Sequence, residues 1–221
     1  MGIVLGYISF LCVILLLLKL VTRKLQWKKI DRILMRGHKW ICGVLVVSCF
    51  AHVICVIPVL GNRDKWVRIT GVIATILIIA IIVFCHIMKK REQKLRWHRI
   101  LSLAMLVMVI SHVVVSIVDF NSYQNKVENI QIEGMDASGV ANGTYRGKYD
   151  VGYICAEVEV TVENEKITHI ELVQHKNERG KPAEKVVDEI LKEQRTDVDE
   201  ITGATNSSKV IKKAVEEALQ N

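Results

Sequence analysis

Three stretches of this sequence, residues 40–60, 69–88 and 100–118, contain no Asp, Glu, Lys or Arg, and a fourth, residues 2–21, contains only Lys19. A bilayer's hydrocarbon core is about 30 Å thick and takes about 20 apolar helical residues to cross. Each stretch is therefore long enough to span it. A helix at the surface of a soluble domain needs a polar face, and four consecutive runs without one predict a membrane domain of four spans. The first run is not read as a signal peptide, because no basic segment precedes it and no small-residue cleavage pattern follows.

Charge divides the chain in two. Residues 1–119 hold 17 Lys/Arg and 4 Asp/Glu, and residues 120–221 hold 13 and 19, which together return the net charge of +7. The first part is apolar with basic edges, and the second is acidic and mixed in composition. The overall positive charge thus gives no ground for nucleic-acid binding. Seven basic residues lie between positions 22 and 39 (Arg23, Lys24, Lys28, Lys29, Arg32, Arg36, Lys39) and six between 89 and 99 (Lys89, Lys90, Arg91, Lys94, Arg96, Arg99). The opposite side carries Arg63, Lys65, Arg68 and Lys126. The positive-inside rule places the two rich loops in the cytoplasm. Both termini are then outside, residues 120–221 form an extracytoplasmic domain, and a bacterial cell membrane is the expected setting. The basic run 89–99 is first a topology signal, with anionic lipid as a secondary partner.

Five of the seven histidines lie in or beside the spans: His38, His52, His86, His98 and His112. An ionisable side chain within a bilayer is costly and points to function. A single membrane histidine is often only hydrogen-bonded to a neighbouring helix, but here the spacing repeats. His38 and His52 are 14 apart, as are His98 and His112. Fourteen residues advance a helix by about 21 Å and leave it about 40° short of four turns, so each pair lies on one face at two depths. Helices two and four run in the same direction, with one antiparallel helix between them. His38 and His98 fall at one level and His52 and His112 at another, which is what two stacked bis-histidine haems need. The local runs His38-Lys39-Trp40-Ile41 and His98-Arg99-Ile100-Leu101 suggest a duplicated ligand-bearing helix. His86 has no partner at equal spacing and reads as interfacial.

On these residues, positions 30–119 resemble the ferric-reductase-like transmembrane haem domain. The resemblance implies two b-type haems with His38, His98, His52 and His112 as axial iron ligands, carrying electrons and binding O₂ poorly. The sequence has fewer spans than the family's fuller members. No cytoplasmic FAD/NAD(P)H module is read in it, so the electron donor is expected to lie elsewhere.

Residues 122–142 are polar, contain Gly134 and Gly139, and read as a linker, bounded at 122–139. Beyond it, Val158, Val160 and Val162 alternate with Glu157, Glu159, Thr161 and Glu163 within 152–163, the period of a half-exposed strand. Asn164-Glu165-Lys166 makes a turn into a paired strand at 167–174. Residues 183–194 and 207–219 each place their apolar positions on one helical face. The expected architecture is a multidomain membrane protein, with a four-helix transmembrane haem-binding bundle (1–121) followed by a small α+β domain (140–221).

Before the last helix runs Asp199-Glu200-Ile201-Thr202-Gly203-Ala204-Thr205-Asn206-Ser207-Ser208, of the form D-x-x-[ST]-G-A-[ST]. Ser207 and Ser208 are candidate caps for a helix starting there. Its free N–H groups and positive dipole end suit a phosphate. Gly203 and Ala204 lack bulk, so backbone can come close. An ordinary helix cap with solvent-facing Asp199 and Thr202 is the plain alternative. The run resembles the covalent flavin-attachment site of the FMN-binding domain family, found in flavin-carrying subunits of the sodium-pumping NADH:quinone reductase and in extracellular reductases. Asn142-Gly143-Thr144-Tyr145-Arg146-Gly147 and Ala214-Val215-Glu216-Glu217-Ala218-Leu219 fit the same family. The resemblance implies an FMN phosphate esterified to Thr205, with Asp199, Thr202, Gly203, Ala204, Ser207 and Ser208 about it and a flavin transferase for maturation.

The six cysteines form no C-x-x-C or C-x-x-C-H motif, so neither an iron–sulfur cluster nor c-type haem attachment is suggested. Cys155 reads as core. His169 and His175 read as surface residues. Asn206-Ser207-Ser208 has the form of a sequon, but glycosylation is not expected in a bacterium. The expected function is electron transfer from a cytoplasmic-side or quinol donor, through two haems and covalent FMN, to an extracytoplasmic acceptor. A relay or assembly subunit of a larger complex, or a membrane-anchored flavoprotein without haem, are the alternatives.

Overall fold

A computed structural model describes residues 2–177 and 179–221. The chain divides into two compact units, Met1–Ile117 and Val118–Asn221.

The first unit is built of helices α1 (Gly2–Lys24), α2 (Lys28–Val56), α3 (Lys65–Ile87) and the N-terminal part of α4 (Arg91–Glu128). All four are long and apolar enough to cross a membrane. Their boundaries follow local chemistry. Arg23 and Lys24 close α1, where cations complement the negative end of the dipole. Pro58 has no N–H to give to a helical carbonyl and crowds the turn before it. Accordingly α2 passes into a 3-10 segment at Ile57–Asn62. Asp64 then caps α3, accepting from the Trp66 backbone N–H at 2.7 Å.

Each helix sends a side chain to a small central cluster: Cys12 and Val13 from α1, Leu45 from α2, Ile78 from α3 and Met105 from α4. Ser9 and Ser48 hydrogen-bond between α1 and α2 at 2.8 Å. Most other apolar side chains face outward, among them Leu11, Val47, Ile76, Leu103 and Val107. An apolar surface of that extent is unfavourable in water and matches a lipid environment, where backbone groups must be satisfied inside each helix.

The second unit carries an antiparallel sheet of order β1-β2-β3, with β1 at Gly143–Asp150, β2 at Cys155–Glu163 and β3 at Lys166–Lys176. The alternation read from the sequence holds, for Val158, Val160 and Val162 are fully buried. Asn164 and Glu165 form the two-residue β2–β3 turn at φ +52° and +58°, as a twisted hairpin requires. A 3-10 segment (Lys181–Lys185) leads into α5 (Val186–Glu193), and α6 (Thr205–Leu219) follows. Helix α6 lays Val210, Ile211, Ala214, Val215 and Ala218 into the same core as the β2 valines. It meets β1 backbone to backbone. A Cβ on Gly147 would stand 2.0 Å from the Ala214 carbonyl oxygen and 2.5 Å from the Ala218 nitrogen, so only glycine fits.

The segment 122–139 is not a free linker. Helix α4 runs on to Glu128, and Tyr123, Val127, Ile130 and Ala137 are buried in the core of the second unit. The apolar residues 123, 127 and 130 follow helical spacing, which the surrounding polar residues disguise. The 183–194 helix is divided into a 3-10 turn and α5, and α6 starts two residues before the expected 207.

Candidate functional site

The motif loop Asp199–Ala204 and the first turn of α6 are organised by α6 itself. Ser208 Oγ accepts from the Ile201 N–H at 3.1 Å and donates to the Ala204 carbonyl at 3.2 Å. One turn on, Lys212 donates to the Val198 carbonyl at 2.7 Å and to Glu200 at 2.9 Å. Another turn on, the fully buried Glu216 accepts from the backbone N–H of Glu133 at 2.7 Å and of Gly134 at 3.2 Å, and from the Thr196 hydroxyl at 2.7 Å. Its second oxygen takes Lys213 at 2.9 Å. Positions 208, 212 and 216 share one helix face. Together they hold the loop leading into the motif and the segment about residue 134.

The lysine partnership shapes the acids. Glu200 is held below the usual carboxylate range, chiefly by its hydrogen bond from Lys212. Burial pushes Glu216 upward, but the bonds from Lys213, Thr196 and the Glu133 N–H outweigh it and hold the group ionised. Lys213 is correspondingly raised, chiefly by its hydrogen bond to Glu216.

Helix α6 opens at Thr205, with Ala204 at the N-cap and no side-chain cap. Ser207 and Ser208 are therefore not caps. They lie within the first turn, Ser208 turning back on the loop and Ser207 pointing inward. Ser207 is 1% exposed, and among the described residues its hydroxyl has no hydrogen-bond partner. It is packed on Gly180, where a Cβ would fall 1.8 Å from Ser207 Oγ. Thr205, Thr202, Gly203 and Asp199 are exposed and Ala204 is buried. Gly203 takes φ +80° with open space where a side chain would stand. The expected motif residues thus come together around an uncapped helix start that presents Thr205 to solvent, where N–H groups can receive an anion.

Residues not marked in the sequence also meet here. Asn206 donates to the Tyr123 hydroxyl at 3.0 Å, and Tyr123 stacks on Tyr153 with ring centres 4.5 Å apart. His175 is not a surface residue. Its side chain is 3% exposed and its Nδ1 lies 3.1 Å from Glu184. The helical spacing of 123, 127 and 130 and the i, i+4, i+8 spacing of 208, 212 and 216 were the available signals for these contacts. Cys155 is buried as expected, and His169 is exposed.

In the membrane unit the four paired histidines occupy two neighbourhoods. The rings of His38 and His98 stand 6.1 Å apart between centres with planes at 81°. Their nearest polar neighbours are thiols: Cys42 Sγ at 3.8 Å from His38 Nε2 and Cys85 Sγ at 3.6 Å from His98 Nδ1. His52 Nδ1 lies 2.8 Å from the Gly2 carbonyl, and His112 Nδ1 lies 3.0 Å from Thr70 Oγ1. Each of these two rings rests on a glycine of another helix: a Cβ on Gly6 would be 3.2 Å from His52, and one on Gly71 would be 3.1 Å from His112. His86 is exposed at the end of α3. Among the described residues no three or more His, Cys, Asp or Glu converge as a metal site.

Comparison with known proteins bears on the second unit. A model of the FMN-binding domain family matches residues 153–220. The match takes in β2, β3, both following helices and the whole Asp199–Ser208 run. This stretch is similar to an FMN-binding domain and supports FMN as its cofactor. No curated protein and no solved structure matches the chain.

Proposed function

We propose that the protein is a membrane flavocytochrome, moving electrons from a cytoplasmic-side or quinol donor to an extracytoplasmic acceptor. The observation that carries the proposal is the uncapped start of α6, which displays Thr205 within a stretch similar to the FMN-binding domain.

In this reading Thr205 would hold FMN as a phosphoester, its hydroxyl displacing a nucleoside monophosphate from a flavin dinucleotide in the reaction of a flavin transferase. The first-turn N–H groups of α6 and the positive dipole end would favour the phosphate charge there. Gly203, in a left-handed conformation with space beside it, lets the modifying enzyme reach the hydroxyl. Ser208 and Lys212 hold the loop so that Thr205 stays outside. A bound flavin supplies two-electron and one-electron redox chemistry, and covalent attachment keeps it on the protein outside the cell.

The membrane histidines fit two b-type haems as axial ligands, His38 with His98 and His52 with His112. The His38 and His98 rings, 6.1 Å apart between centres, would be the pair that holds one of them. Haem brings its own four equatorial donors and asks the protein for two, so histidines in twos suffice. The basic loops support an orientation with those ends of the helices in the cytoplasm and the flavin domain outside.

A haem-free, membrane-anchored flavoprotein is the second reading. The family match covers the flavin domain alone, and the thiol contacts of His38 and His98 give these rings neighbours without a metal. A reduced-minus-oxidised visible spectrum of detergent-purified protein, with haem and acid-stable flavin counted per chain, decides between them. Two b-type haems and one acid-stable flavin are expected. Flavin without haem leaves the second reading, and protein without either cofactor overturns both.

A further inference from the structure

His52 and His112 are held differently from His98, and the difference lies in the partner of Nδ1, the ring nitrogen that a metal would not take. The Gly2 carbonyl oxygen, 2.8 Å from His52 Nδ1, can only accept. His52 Nδ1 therefore carries the hydrogen and donates it, and Nε2 is left with its lone pair.

The same outcome follows for His112 by a longer route. Thr70 Oγ1 is 3.0 Å from His112 Nδ1, 2.7 Å from the Trp66 carbonyl and 3.2 Å from the Val67 carbonyl. The hydroxyl has one hydrogen. Two oxygens at 2.7 Å with no hydrogen between them repel, so that hydrogen goes to the Trp66 carbonyl, a common helical back-bond. Thr70 is thus an acceptor toward the ring, and His112 Nδ1 is the donor. Gly6 and Gly71 bring the neighbouring helix against each ring, so there is little room for it to turn over.

A metal-binding histidine usually donates its second N–H to a carbonyl or carboxylate, which fixes the tautomer and raises the basicity of the ligating nitrogen. Oxygen acceptors do this for His52 and His112. At His98 the partner of Nδ1 is a thiol, a weak one by comparison, and the thiol beside His38 lies at Nε2.

We infer that Thr70 is a positioning residue for haem ligation by His112, and that the Gly2 carbonyl serves His52 in the same way. The inference rests on the haem reading above. A more basic axial nitrogen stabilises oxidised iron over reduced iron, so these contacts lower the potential of one haem relative to the same site without them.

The test is a redox titration of full-length protein in detergent, followed through the haem spectrum, for the wild type, Thr70→Val and Thr70→Ser. Valine keeps the branched shape and removes the acceptor, and serine restores it. Two haems in the wild type come first, since their absence overturns the ligation reading itself before any variant is measured. Given two haems, Thr70→Val is expected to shift one midpoint potential upward and leave the other, while Thr70→Ser leaves both. Loss of one haem in Thr70→Val with both retained in Thr70→Ser supports the inference equally. Two haems at unchanged potentials in Thr70→Val, or an equal shift in Thr70→Ser, overturns it and leaves the haem assignment standing.

Discussion

The ammonium of Lys212 sits 2.9 Å from the carboxylate of Glu200, with only 3% of the lysine side chain exposed. The same nitrogen takes the Val198 carbonyl, so one buried cation on α6 fixes the chain three to five residues ahead of Gly203. Replacing Lys212 with methionine keeps much of the volume and leaves the Val198 carbonyl and a partly buried carboxylate without their donor. A hydrogen bond to a charged group is worth about 1.5–3 kcal/mol, and a loss at the lower end of that range is expected because Glu200 stays partly hydrated. Chemical denaturation of the full-length protein measures it. Flavin incorporation should fall along with stability, because the loop carries the motif.

Thr205 is exposed at the start of α6 and supports no packing. Thr205→Val should therefore fold as the wild type does while losing all acid-stable flavin. Fluorescence of the denatured, washed polypeptide reads this directly. Flavin still attached in the variant places the ester at another hydroxyl, with Thr202 next to be tested.

Acid should loosen the second unit through Glu216 and Glu200. Both carboxyls are held below their ordinary values in the folded protein. Their contribution is complete above the unfolded glutamate value of about 4.3 and is lost as pH falls through it toward the folded values. Stability should be flat near neutrality and decline below about pH 4–5. Glu216→Gln should flatten part of that decline, at the cost of a lower plateau. An equal acid slope in the variant would exclude Glu216 as a contributor.

Gly180 and Ser207 are packed too closely for any side chain to be added. A Cβ at 180 would fall 1.8 Å from Ser207 Oγ and 2.6 Å from its Cβ. Gly180→Ala must displace either the backbone at Gly180 or the first turn of α6. Overpacking of this kind costs about 1–3 kcal/mol. The double variant Gly180→Ala with Ser207→Gly removes both atoms in the clash and should recover most of the loss, less the cost of a glycine in the helix. Thermal unfolding of the single and double variants measures the recovery.

His52 and His112 answer to the same haem in the proposed arrangement. His52→Ala and His112→Ala should each reduce the haem count from two per chain to one, and the double replacement should remove no more. His38→Ala and His98→Ala should remove the other haem. Pyridine-treated haem spectra count the remainder. Independent losses that add in the His52/His112 double variant would break the pairing.

Parts of this molecule could be read from local pattern alone. The three charge-free runs name the membrane helices, because no other environment tolerates that surface. Val158, Val160 and Val162 declare their strand by alternating with acids, and all three are buried. Strand β1 was legible only as part of a family pattern. Its one buried position is Gly147, a residue with no side chain to register as apolar, with Tyr145 and Tyr149 partly buried beside it. Residues 123, 127 and 130 were hidden among polar neighbours, although their spacing is helical. His175 read as exposed because its strand lies at the sheet edge, while its ring turns under the segment that carries Glu184.

The sequence by itself determined which helices are long and apolar enough to cross a membrane, which two turns carry the dense basic charge, and where a Thr-Gly-Ala-Thr run precedes an amphipathic helix. Those properties are periodic or compositional, and periodicity records which face of an element is apolar. The tertiary structure decided the partners. It set Ser208 and Lys212 against the 198–204 loop and Glu216 against the segment about residue 134, turned Ser207 inward onto Gly180, and gave His52 and His112 oxygen acceptors while leaving His38 and His98 beside thiols. The segments that Lys212 and Glu216 hold lie 12 to 83 residues away in the chain. No local pattern encodes them, because a hydrogen bond is settled by the distance and direction that packing imposes.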